Sequence, residues 1–305
     1  MALQYPTSTG HYVDDKYSPL VEPNLFANNV FQPGKTFTDK YQTGPAGQIF
    51  VHKPGIATIS ATAPGADFTE TVVADSLITI SLNKQFNRAR KIYGATVASV
   101  AYSMAAAELE TAIQEVRAAW NIEAASAIVD ADGIRVASNI TTLTTDTTIY
   151  DTIVDARQAL RALKANPDTL IVDPTRYGLL LKAPEFQRAV QLDNQVVRDA
   201  YVGRIAGLNV YEYESLSSAA GNLTNINGTT DDITWVTAND ALEFIVYDHD
   251  ALSIVTSVNV VGIWDGMPRF NGIDAEVEIV SGFKLTNPKR AILKIHDADA
   301  TENLS

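Results

Sequence analysis

No proline occurs between Pro64 and Pro167, although seven of the chain's twelve prolines fall before residue 65. Proline removes a backbone donor and clashes with the preceding helical turn, so this spacing confines the first third to turns and extended chain and leaves the middle free to be helical. The proline-free stretch holds "RKIYGATVASVAYSMAAAELETAIQEVRAAWNIEAASAIVDADG", which is rich in alanine, the best helix former. Tyr102, Ala106, Leu109, Ile113, Val116 and Trp120 recur at steps of three and four, one face of a helix. Glu108, Glu110, Glu115 and Arg117 lie elsewhere on the wheel. The pattern predicts a helix of roughly 25 residues, about 40 Å long at 1.5 Å per residue, closed by Asp132-Gly133.

Ahead of it, residues 1 to about 40 read as an arm. "YPTSTG", "YSPLVEPN" and "FQPGK" are rich in breakers, with isolated apolar anchors at Leu25, Phe26, Val30 and Phe31. Such a segment builds little core of its own and has to lie on another surface. Gly44-Pro45, Pro54-Gly55 and Pro64-Gly65 then recur at about ten-residue spacing, with "QIFVHK" and "IATISAT" between them. Pro-Gly suits the centre of a type II turn, where Gly accepts the positive φ. These features predict a long β-hairpin with its tip near Lys53-Pro54-Gly55-Ile56, continued as strand by "ETVVADSLITISLN".

Behind the long helix, "TTLTTDTT" is a connector. A second helix is expected over Ile149–Lys164, with Ile149, Ile153, Ala156, Leu160 and Leu163 as its apolar stripe. Asp151 and Asp155 lie early in it, and Arg157, Arg161 and Lys164 late, which suits the helix dipole. In "DTLIVDPTRYGLLLKAPEFQRAV", "TLIV" is a short buried strand, Asp173 an N-cap and Pro174 the first helical residue; Pro184 repeats the device. "GRIAGLNVYEYESL" reads as strand with glycines at Gly203 and Gly207, and "DDITWVTANDALEFIVYD" as more strand with a short helix after Asn239. In "DAEVEIVSGFKL", Ala275, Val277, Ile279, Phe283 and Leu285 alternate with Glu276, Glu278 and Lys284, so one face is apolar and one wet. "RAILKI" is the last strand and "HDADATENLS" a loose end.

Composition narrows the function. At 305 residues, with 46% hydrophobic and 19% charged, the chain is an ordinary globular protein of one or two domains. No apolar run reaches membrane-spanning length, and "MALQYPTSTGHYVDDKY" has neither the basic start nor the apolar core of a signal peptide. The absence of cysteine excludes disulfides and thiolate metal sites and fits folding in a reducing compartment. A net charge of -13 sets the chain against the polyanionic backbone of DNA, so a sequence-reading role is not expected, whereas a surface that lies near DNA without gripping it is allowed.

A search for chemistry finds no catalytic, metal or cofactor site. The four histidines, His11, His52, His249 and His296, are scattered. "YDHD" at Tyr247–Asp250 offers metal-ligand types but reads as a solvated turn. "DADG" at Asp130 resembles the start of a calcium loop, yet the position for the bidentate Glu is a threonine. "GPAGQIF" lacks the Lys-Ser/Thr of a phosphate loop, and there is no G-x-S-x-G elbow. Sequons at Asn139, Asn222 and Asn227 come without a secretion signal. The acidic excess could contain a carboxylate pair for glycoside hydrolysis, but no spacing selects one.

The order of parts is the most specific feature: arm, long hairpin, long alanine-rich helix, α/β region, β return. This order resembles the Hong Kong 97-type major capsid proteins of tailed bacteriophages. "DPTRYGLLLKAPEF" after a strand, "GRIAGLNVYEYESL" as Gly-x-x-x-Gly-x-x-Val, and "TANDALEFIVYD" are similar to recurrent segments of that family. The resemblance implies an α+β fold with an N-terminal arm at 1–40 and an extended hairpin, the E-loop, at 41–82. It implies a P-domain at 83–146 and 256–298 with a spine helix at about 100–129, an A-domain at 147–255 and a tail at 299–305. It implies a non-enzymatic coat protein of the virion, assembled in the host cytoplasm into hexamers and pentamers of an icosahedral head around double-stranded DNA, which it meets by non-specific proximity. Cofactors and membranes play no part. A scaffolding protein, a portal and a decoration protein are its expected partners beside itself; a separate scaffold or prior cleavage follows from the arm's starting almost at residue 1. Inter-subunit contacts are expected at Leu25, Phe26, Phe31, Phe50, Val51, Lys53, Ile56 and Ile59, which lie on the arm and hairpin. Lys53 sits where some members carry a crosslinking lysine. An encapsulin-like nanocompartment shell shares the fold; an acidic cytosolic hydrolase and a virion-surface binding module are the other classes compatible with the composition.

Overall fold

The computed structural model describes residues 30–41, 48–53, 75–93, 104–131, 135–136, 146–184, 203–216, 223–224, 230–231, 241–265 and 272–296. The strands are β1 (Gln48–Lys53), β2 (Ser76–Ser81), β3 (Lys84–Tyr93), β4 (Arg135–Val136), β5 (Thr169–Val172), β6 (Arg204–Ile205), β7 (Leu208–Glu212), β8 (Leu223–Thr224), β9 (Thr230–Asp231), β10 (Ala241–Tyr247), β11 (Leu252–Asp265), β12 (Gly272–Leu285) and β13 (Ala291–His296). The helices are α1 (Met104–Val129), α2 (Asp146–Ala162) and α3 (Pro174–Lys182). The chain divides into two compact units. Among the described residues, one takes in Lys84–Asn121 and Val258–Val280, the other Val30–Asn83, Ile122–Ser257 and Ser281–His296.

The smaller unit sets α1 against a three-stranded sheet of order β11-β12-β3. Ala112 and Val116 of α1 are buried with Val277 of β12, and Phe86, Leu109, Ile113 and Ile279 pack around them. The helical face and the alternating strand face read from the sequence therefore meet. Arg88 pairs with Glu115, and Gln85 Nε2 donates to Glu278 Oε1 at 2.7 Å.

The larger unit is built on a six-stranded mixed sheet of order β4-β13-β10-β5-β7-β6. β5 runs antiparallel to β10 and parallel to β7. One face is covered by α2 and α3: Ile149, Ile153, Ala156 and Leu160 pack with Leu170, Val172, Val210, Phe244, Val246 and Ile292. The α3 start follows the capping chemistry expected of it. Asp173 Oδ2 accepts from Thr175 N at 3.1 Å, and Pro174 occupies the first turn.

The α2 stripe corrects the sequence in one place. The helix ends at Ala162, and Leu163, expected in the stripe, is 37% exposed. Lys164 takes φ 62°, its N–H bonds Arg161 O at 2.9 Å, and Ala165 N–H reaches Leu160 O at 3.1 Å. This is a Schellman cap with lysine in the position glycine usually fills. "GRIAGLNVYEYESL" is not one strand either. Arg204↔Asn209 and Ile205↔Leu208 pair across a two-residue turn. Ala206 (φ 48°) and Gly207 (φ 84°) both adopt the left-handed geometry of a type I′ hairpin.

The opposite sheet face is covered by the chain's own residues 30–38. Gln32-Pro33-Gly34-Lys35 form a turn closed by Lys35 N to Gln32 O at 3.2 Å, with Gly34 at φ 71°. Thr36 is fully buried; its carbonyl accepts from Tyr247 Oη at 2.7 Å. Burial pushes the Tyr247 phenol well above its ordinary pKa. Thr38 N donates to Leu252 O at 2.8 Å, and Lys40 Nζ pairs with Asp250 at 2.6 Å.

One carboxylate lies within the sheet. The β10–β13 register shifts between Leu242 and Phe244, a bulge that re-aims Glu243. Fully buried, Glu243 meets Arg176 Nη2 at 2.7 Å and Lys294 Nζ at 3.5 Å. Burial lowers the Lys294 pKa while Glu243 holds it up.

Candidate subunit interface

β1 and β2 form an antiparallel two-stranded ribbon in which Lys53 pairs with Ser76 and Gln48 with Ser81. This corrects the turn expected at Lys53-Pro54-Gly55-Ile56: "QIFVHK" pairs with "SLITIS", and all of residues 54–75 lie between the paired strands. The register has a physical reason. It sets Ile49 opposite Ile80 and Val51 opposite Ile78, four aliphatic side chains on one face.

The other face is also partly apolar. Phe50 lies opposite Thr79 and Leu77 opposite His52. Phe50 is 57% exposed and Leu77 54%, the two most exposed large apolar side chains among the described residues. Fully burying such a side chain contributes roughly 1.5–3 kcal/mol. A lone two-stranded ribbon is marginal in water, and its open edges can accept a further strand.

The base of the ribbon is seated. Ile80 is fully buried, and β12 passes so closely that a Cβ at Gly282 would lie 2.6 Å from Ser81 O and 3.3 Å from Ile80 Cγ2. Only glycine permits this approach. One end of the hairpin is thus fixed by its own chain while Phe50 and Leu77 stay open.

The expected contact residues separate accordingly. Phe50 and Lys53 are exposed on β1, and Val51 is half-buried. Phe31 is a correction: it is 2% exposed and packs edge-on against Tyr213, with ring centroids 6.3 Å apart at 80°. It packs within its own chain. Leu25, Phe26, Ile56 and Ile59 lie outside the described residues. Leu77 went unnoticed in the sequence, where its signal is a large apolar residue in phase with Thr79 and Ser81.

The "YDHD" turn gains a distant partner. Ligand-type atoms of Asp168, Asp248 and His249 lie within 4.8 Å of one another. They are engaged by protein groups: Asp168 receives the His249 N–H at 3.0 Å and the His249 ring. Asp248 receives Asp250 N–H at 3.1 Å and Arg290 Nη1 at 3.2 Å. The cluster locks the 3-10 turn His249–Ala251 to the start of β5.

No family model matches the sequence, and no curated protein is similar to it in sequence. Solved structures are similar along nearly its whole length. A structure from Mycobacterium phage Che8 aligns with a TM-score of 0.69, covering 92% of this chain and 96% of that one at 13% identity. The capsid structure of the cyanophage P-SCSP1u gives 0.69 over 93% and 92% at 12% identity. The asymmetric unit of the bacteriophage PhiM1 mature capsid gives 0.62 over 92% and 91% at 16% identity. The fold, mixed helix and sheet, is that of phage capsid structures. Among the described residues no helix is long and apolar enough to cross a membrane.

Proposed function

We propose that this chain is the major capsid protein of a tailed bacteriophage, a structural and non-enzymatic subunit of the Hong Kong 97 type. Its copies assemble into hexamers and pentamers of an icosahedral head around double-stranded DNA, with the β1–β2 hairpin as E-loop, α1 as spine helix and residues 147–255 as A-domain. The observation that carries this reading is the hairpin: anchored at Gly282, apolar on both faces, and exposed at Phe50 and Leu77 in a fold shared with phage capsids. Neighbouring copies bury those side chains and add strand contacts. A stable contact covers about 1,600 Å² in total, and several such contacts per subunit make a durable shell. The net charge of -13 keeps DNA mobile against the wall. A scaffolding protein and portal supply size and the DNA entry point.

The test is expression followed by electron microscopy and sedimentation. Wild type forms closed particles, and Phe50→Ser with Leu77→Ser remains folded and soluble but forms none. Normal particles from the double variant would contradict the hairpin's role, and a wild-type chain that stays monomeric would contradict the capsid reading.

A further inference from the structure

The charges of α2 are arranged unfavourably for a lone chain. Asp151 and Asp155 stand at i,i+4, as do Arg157 and Arg161, and no charge on the helix has an opposite charge three or four residues away. Like charges at that spacing destabilise a helix. The helix begins at Asp146, so the two aspartates fall in its middle and the helix dipole accounts only for Arg161 in the last turn. Some cations elsewhere in the described residues pair with carboxylates: Lys40 with Asp250, Arg88 with Glu115, Arg176 with Glu243, Arg290 with Asp248. Arg157, Arg161 and Arg204 form no ion pair among the described residues, nor do Asp151 and Asp155.

The cations lie together. Arg204 Nε donates to Gly207 O at 3.2 Å, and the Arg157 guanidinium lies 3.5 Å from where a Cβ on Gly207 would sit. Arg157 Nε is buried without a hydrogen-bond partner among the described residues. This corner adjoins β6, the outermost strand of the six-stranded sheet. Arg161 follows one turn along α2, while Asp151 and Asp155 lie some 120° around the helix from the arginines, at 100° per residue.

We infer that the Arg157/Arg161/Arg204 corner of one copy receives the Asp151/Asp155 row of the next, a head-to-tail ionic contact between subunits. The inference rests on the self-assembly reading. A contact between two different surfaces of the same chain closes into a ring when its rotation permits. Charge complementarity also gives copies of a chain with net charge -13 a preferred way to meet despite their overall repulsion.

Three variants test it: Arg157→Glu with Arg161→Glu, Asp151→Arg with Asp155→Arg, and all four together. Circular dichroism checks folding; electron microscopy and sedimentation measure particles and smaller oligomers. Each double variant is expected to lose about tenfold or more of particle yield, and the fourfold swap to recover most of it. If a reversal costs the fold, Arg157→Gln with Arg161→Gln serves instead, with a smaller loss expected. Undiminished assembly by a folded double variant, or a folded fourfold variant no better than the doubles, overturns the contact and leaves the capsid reading intact. A wild-type chain that forms neither particles nor oligomers overturns both.

Discussion

Residues 30–40 and the β1–β2 hairpin both belong to the first third of the chain, yet they differ in how their apolar side chains are placed. The first segment buries Val30, Phe31, Thr36, Phe37 and Thr38 against its own chain: Phe31 against Tyr213, Thr36 beneath Tyr247, Thr38 bridged to Ser253. The second keeps Phe50 and Leu77 more than half exposed although its two strands pair with each other along their whole length. Backbone pairing and side-chain burial are therefore satisfied separately. A segment that has the first without the second is equipped for association, whereas one with both is already part of a core.

The sharpest way to break this comparison is Phe31→Ala. If the segment is core, unfolding of the isolated chain by denaturant should lose about 3–5 kcal/mol, the usual cost of truncating a buried phenylalanine. A loss under about 1 kcal/mol would return Phe31 to the set of interface residues. Gly282→Ala comes next: the added Cβ collides with Ser81 O, so about 1–3 kcal/mol is expected, with faster hydrogen exchange across β1 and β2. Tyr247→Phe removes the bond to Thr36 O and should cost about 1 kcal/mol near neutral pH.

That substitution also has a pH signature. Below the ordinary phenol pKa of 10.0, folded and unfolded chains both keep the Tyr247 proton. Above it the unfolded chain loses the proton while the buried phenol retains it, so stability falls as pH rises. Burial raises Tyr213 in the same direction, whereas the lowered Lys294 acts oppositely as pH approaches its ordinary 10.5. Thermal unfolding at stepped alkaline pH should show a shallower decline in Tyr247→Phe than in wild type. The smallest expected effect is that of Phe50→Ser on the isolated chain, within about 0.5 kcal/mol of wild type; a large loss would mean that Phe50 has a home in its own subunit.

Much of this was legible in the sequence where one local rule governed. The alanine-rich, proline-free stretch gave α1 because nothing in it competes with helix, and Asp173-Pro174 gave the α3 start because cap and first-turn chemistry are local. The alternation of Val277 and Ile279 gave the β12 face. What failed depended on distant partners. The Pro54-Gly55 turn signal suggested pairing with the nearest strand, but the register follows Ile78 and Ile80. Phe31 sits among breakers as an isolated anchor, and nothing near it in sequence points to Tyr213. Asp168 joins His249 where the start of β5 lies beside the end of its neighbour β10 in the sheet, which no spacing announces. Ala206 adopts a positive φ that the sequence signals only through the following glycine. The exposure of Phe50 and Lys53 agrees with the protrusion read from the sequence, whereas that of Leu77 was not legible there, because exposure is decided by what else the chain brings near.

Hydrogen–deuterium exchange, compared between isolated subunits and assembled particles, addresses the hairpin most directly. Gln48–Lys53 and Ser76–Ser81 should exchange rapidly in the isolated subunit and become strongly protected in the particle, while residues 30–40 are protected in both. Equal protection of the hairpin in the two states would contradict the claim that it completes its burial on neighbouring copies.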